Sequence, residues 1–80
     1  MANPRERLIT CFSTVFPELT HEEIEQSSVT SIAVWDSLAT MTLVAVLQEE
    51  FKTEFTVDEI GQLISFELIL DILENKNVGS

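Results

Sequence analysis

Apolar residues recur at helical spacing in several stretches of this chain, and polar or helix-breaking residues separate them. Leu8, Ile9, Phe12, Val15 and Phe16 follow one another at steps of three and four, which turns one stripe of a helix inward. Asn3 and Pro4 mark its start, an N-cap followed by a ring whose fixed φ suits the first turn. Pro17 ends it, so the pattern predicts a helix over about 4–16. From Glu18 to Trp35 the chain is polar, broken and rich in Ser and Thr. This reads as a long connection. Within it Thr20 and Glu23 have capping-box spacing, predicting a helical turn or two from His21 to about Gln26. Ile24, Val29, Ile32 and Val34 are the residues that would pin so long a loop to the rest.

Asp36 and Ser37 then run straight into an apolar pattern that no glycine or proline interrupts. With Asp36 as N-cap, its carboxylate accepts from a free first-turn N–H and Ser37 becomes the first helical residue. A helix over 37–51 follows, with Leu43, Leu47 and Phe51 four apart as its inward stripe and Val44 beside them. Leu38 and Met41 lie on its first turns, where core packing is the ordinary role for apolar side chains. Val46 is turned partly away. Phe55 is expected to dip into the core after a short polar link. Thr56 and Glu59 repeat the capping-box spacing and predict a third helix over 57–64, with Val57, Ile60, Leu63 and Ile64 as its apolar set and Gly61 weakening it. Ser65 caps a fourth over about 66–75, where Phe66, Ile69, Leu70, Ile72 and Leu73 form a broad apolar surface. The tail after it is expected to fray.

Such stripes can be buried only against each other. The expectation is a single all-α domain over 1–80, a small four-helix bundle of three main helices and one short one. Eighty residues leave no room for a second domain. The hydrophobic fraction of 45% with two glycines and two prolines suits a compact helical protein.

The formal net charge of −10 makes nucleic acid and anionic membrane surfaces poor partners and a basic protein patch a good one. No stretch is long enough to span a bilayer, and Met1 is followed by polar residues rather than a signal-peptide core. One cysteine, Cys11, excludes an internal disulfide, and its apolar neighbours predict a buried thiol. A cytoplasmic monomer that does not insert into membranes is the expectation. Catalytic machinery is scarce. With one histidine, one cysteine and no tyrosine, a nucleophilic triad would have to enlist His21, which fits better as a first-turn residue of the loop helix. Neither zinc nor calcium spacing is present. The paired acids Glu22–Glu23 and Glu49–Glu50 are sequence neighbours and diverge on a helix. The chain is not expected to be an enzyme.

What remains is a serine at the positive end of a helix, a place that favours an incoming phosphate. The segment Asp36-Ser37-Leu38 resembles the Asp-Ser-Leu signature of acyl carrier proteins. The likeness runs from the first helix to Leu73: a long loop before the tripeptide, Leu43 and Leu47 after it, the EEF ending at Phe51, then two shorter helices. The resemblance implies that Ser37 receives 4′-phosphopantetheine from coenzyme A through a phosphopantetheinyl transferase, and that the arm's thiol carries an acyl group as a thioester. It also implies that Asp36 helps the transferase hold its metal and cofactor, and that Leu38 lies beneath the arm and in the docking surface.

Departures from the family pattern point away from housekeeping fatty-acid synthesis. Ala39 and Thr42 stand where acids are common, leaving Glu49 and Glu50 toward the far end of the helix. Trp35 is similar to what carriers of specialised pathways show, and it also fits as a loop anchor. Implied partners are acyl-activating, acyltransferase or condensing enzymes of a fatty-acid-like, polyketide-like or other acyl-transfer pathway, docking through Leu38, Met41, Glu49 and Glu50. Two alternatives stay open. One is an aminoacyl or peptidyl carrier using the same arm. The other is an unmodified helical adaptor that binds a partner through its second helix.

Overall fold

A side-chain oxygen on the residue before the first turn caps each helix among the described residues. The computed structural model describes residues 3–32 and 35–76, and the chain there is all-α. The helices are α1 (Pro4–Val15), α2 (His21–Glu25), α3 (Ser37–Phe51), α4 (Val57–Ile60) and α5 (Phe66–Asn75). Asn3 Oδ1 accepts the Glu6 N–H at 2.8 Å, Asp36 Oδ1 that of Ala39 at 2.9 Å, and Ser65 Oγ that of Leu68 at 3.2 Å. Thr20 with Glu23, and Thr56 with Glu59, close reciprocal capping boxes. Each cap supplies a partner that the first turn of a helix cannot find within itself.

α1 lies at the centre of the packing and meets α2, α3 and α5. Its Leu8 and Phe12 are wholly buried, together with Ile24 of α2, Leu43 and Leu47 of α3, Leu63, and Phe66, Ile69 and Leu73 of α5. Phe12 is the aromatic hub. Trp35 meets its ring edge-on at 5.4 Å between centroids and Phe66 does the same at 5.4 Å. Edge-to-face contacts of this kind add to the area they bury.

Three of the four basic residues clamp the fold from outside. Arg5 donates to Glu25 and Glu67 and so ties α1 to α2 and α5. Arg7 reaches Glu50 Oε2 at 2.8 Å and its carbonyl at 2.6 Å, and it lies 4.5 Å from the Phe51 ring centre. Lys76 joins Glu59 at 2.9 Å and donates to the Glu54 carbonyl. The long connection is held differently. Val29 N–H donates to the Ile64 carbonyl and Phe66 N–H to the Ser27 carbonyl, a short antiparallel bridge onto the stretch before α5.

Three details differ from the sequence pattern. α4 ends at Ile60 rather than at residue 64. Beyond it the N–H groups of Gln62 and Leu63 bond three residues back, and the Ile64 carbonyl pairs with Val29 instead of continuing a helix. Val57 points outward, 85% exposed, because a four-residue helix has only one turn with which to turn a side chain inward. Of the expected loop anchors, Ile24 is buried, Ile32 packs at the core's edge and Val29 lies exposed. Val34 lies outside the described residues.

Candidate functional site

The first turn of α3 is built from the loop inward. Trp35, the residue before the cap, is 3% exposed and packs against Phe12 and Phe16. Its indole Nε1–H donates to Thr40 Oγ1 at 3.0 Å, and the Thr40 hydroxyl in turn donates to the Asp36 carbonyl at 3.0 Å. That carbonyl also accepts the Thr40 N–H at 2.9 Å. Positions 35 and 40 are those a hydrophobic staple would join, and here a hydrogen bond joins them. Asp36 is thereby held by its carbonyl and by its carboxylate, with backbone angles φ −102° and ψ −172° that are extended and unstrained.

Ser37 follows as the first residue of a 15-residue helix, and it is exposed. Its hydroxyl stands where the helix dipole is positive. Thr40 and Thr42, one turn on, spend their hydroxyls on the carbonyls of Asp36 and Leu38. Leu38 is 76% exposed and Met41 54%, so both expected docking residues project outward rather than into the core. No charged side chain occurs in α3 before Glu49. Beside Ser37 an open groove of about 330 Å³ runs between the end of α1 and the start of α3, with Val15, Phe16, Glu18, Asp36, Leu38 and Thr42 on its walls.

The other candidate residues lie elsewhere. Glu49 is exposed twelve residues along α3, which at the helical rise is about 18 Å from Ser37. Glu50 is committed to Arg7 of α1. His21 is the exposed first residue of α2. Cys11 is buried, and loss of solvent first, then the nearby Glu50 charge, push its thiol up to about 11. A nucleophilic role would need that value lowered. Among the described residues no cluster of His, Cys, Asp or Glu is arranged to hold a metal ion. Thr40 is the residue that sequence reasoning missed. Its signal was available in the spacing from Trp35, but a threonine near a helix start is common enough to pass unnoticed.

The start of α3 fits a group attached through a phosphodiester. Ser37 is exposed, the helix end is positive, and Asp36, also exposed, takes the Ala39 N–H on Oδ1. No known protein-family profile matches the chain, and a search of curated proteins finds no match either.

Proposed function

We propose that this chain is a cytoplasmic acyl carrier protein with the four-helix arrangement of that family, bearing 4′-phosphopantetheine on Ser37. The observation that carries the reading is Ser37 itself, an exposed serine that stands first in the longest helix, with Asp36 capping and Leu38 exposed beside it. In the attachment reaction with coenzyme A, the Ser37 Oγ–phosphorus bond forms and the phosphoanhydride bond breaks. The nucleotide half leaves as adenosine 3′,5′-bisphosphate, and the hydroxyl proton passes to a base on the transferase. Once attached, the arm supplies a thiol that holds an acyl group as a thioester.

The chain's own residues prepare and present the acceptor. Asp36 fixes the helix start and, being exposed, presents its carboxylate to the transferase's metal. Leu38 and Met41 form an apolar docking face, and the uncharged side of α3 around them suits partners that read shape and apolar surface more than charge. The proposed partners at this face are acyl-activating, acyltransferase or condensing enzymes of a specialised pathway.

The test is intact mass after coexpression with a phosphopantetheinyl transferase. The protein gains the mass of the arm, and the Ser37→Ala variant does not. A mass unchanged under conditions that modify a control carrier leaves the adaptor reading, in which the same Leu38–Met41 face binds a partner without modification. Loading with acyl- and with amino-acid-activating enzymes then separates an acyl carrier from an aminoacyl or peptidyl carrier.

A further inference from the structure

Trp35 and Thr40 form a relay that ends on the residue immediately before the acceptor serine. The indole is anchored in the aromatic core against Phe12 and Phe16, its N–H donates to Thr40 Oγ1 at 3.0 Å, and Thr40 donates to the Asp36 carbonyl at 3.0 Å. With the Ala39 N–H bond to its carboxylate at 2.9 Å, Asp36 is held at two separate groups. The remaining freedom at Ser37 is then mainly rotation of its own side chain. A loop of this length would ordinarily leave its last residues, and the helix start after them, open to local fraying. The aromatic core is tied here to the N-cap through neutral hydrogen bonds, and Ser37 stays exposed.

We infer that Trp35 and Thr40 are positioning residues for modification of Ser37, fixing from within the core the backbone position from which its hydroxyl meets the incoming phosphate. The inference rests on the carrier reading of Ser37. Neither residue touches the acceptor oxygen; both act through Asp36. Docking by Leu38 and Met41 is a separate matter, since those side chains project outward from the helix and make no part of the relay. Loss of the relay therefore weakens the turnover of a docked carrier and leaves docking itself in place.

The experiment measures transferase kinetics with this protein as the varied substrate, using coenzyme A and intact mass as the readout. Thr40→Val keeps the shape and deletes the hydroxyl. It is expected to lower kcat by about tenfold, the scale on which small misplacements of a reacting group act, with KM for the carrier nearly unchanged. A merely structural loss behaves differently, because a partly unfolded substrate raises the apparent KM by the inverse of its folded fraction and leaves kcat alone. Thr40→Ser, which restores a hydroxyl, is expected to recover most of the rate. Trp35→Phe keeps a ring in the core and deletes the N–H, so it tests the same bond from its other end should Thr40→Val fold poorly. Combined with Thr40→Val it should add little further loss. Wild-type kcat in Thr40→Val and Trp35→Phe, or a change confined to KM, overturns this inference and leaves the carrier reading standing. No mass gain in the unsubstituted protein removes the carrier reading, and this inference with it.

Discussion

The two ends of α3 are secured by different physics. At the C-terminal end charge and aromatic contact close the surface: Arg7 binds Glu50 twice and covers Phe51, and Gln48 collects the chain beyond the helix through its carbonyl and its side chain. At the N-terminal end, neutral hydrogen bonds from Trp35 and Thr40 hold the backbone from beneath, and Ser37, Leu38 and Met41 stay exposed. One end is fastened on its outside, the other from its inside. An anchor in the core is the way to hold a helix start rigid while leaving its outer surface free for a partner.

The sharpest way to break the comparison is at the closed end. Phe51 is 3% exposed, and Phe51→Ala is expected to cost about 3–5 kcal/mol of unfolding free energy in urea titration, as large core truncations do. Loss of the N-cap in Asp36→Ala should cost about 1 kcal/mol. A cost near zero there would mean that the relay holds the helix start without the carboxylate. Leu38→Ala and Met41→Ala should change stability by less than about 0.5 kcal/mol, while weakening transferase docking as a rise in KM. A stability loss well above that bound would return both side chains to the core and remove the open face.

Acid probes the outer clamps beyond the closed end. Glu59 lies below the usual carboxylate range, first because the Thr56 N–H donates to it and second because Lys76 does. A carboxyl lowered on folding adds stability that is complete above its unfolded-state value and is lost as pH falls through its folded-state value. The urea midpoints of the wild type and Glu59→Gln should therefore differ at neutral pH and converge in acid. Cys11 gives the smallest effect. With its thiol buried and raised to about 11, it should react with a thiol reagent at neutral pH at the rate of unfolding rather than at the rate of a free cysteine. Fast labelling of the native protein would show that the core under α1 opens locally.

Much of this architecture was legible in local chemistry. Asn3, Thr20, Asp36, Thr56 and Ser65 each carry a side-chain oxygen directly before a segment without helix breakers in its first turn beyond Pro4, and Thr20 and Thr56 add the glutamate of a capping box three residues on. The stripe of α5 was equally plain, and all five of its expected residues are buried. α4 was less legible. Its period continued past Gly61, but the Ile64 carbonyl is taken by Val29, a residue far away in sequence. No local pattern carries that information. Glu50 is a similar case, an acid on a helix surface whose partner is set by the way α1 crosses α3.

Taken alone, the sequence determined where helices begin, which faces are apolar, and that Ser37 stands first after a cap, because those depend on residues within one or two turns of each other. Whether Leu38 and Met41 would be buried or exposed was beyond it, since helical period gives the angle between side chains but not which neighbour occupies each direction. Only the tertiary structure decided that α1 packs along one side of α3 and leaves those two outside. The same packing set Trp35 against Phe12 and Phe16 and fastened the long connection to the segment before α5. Each of these outcomes joins parts of the chain whose approach is set by how the whole core fills space.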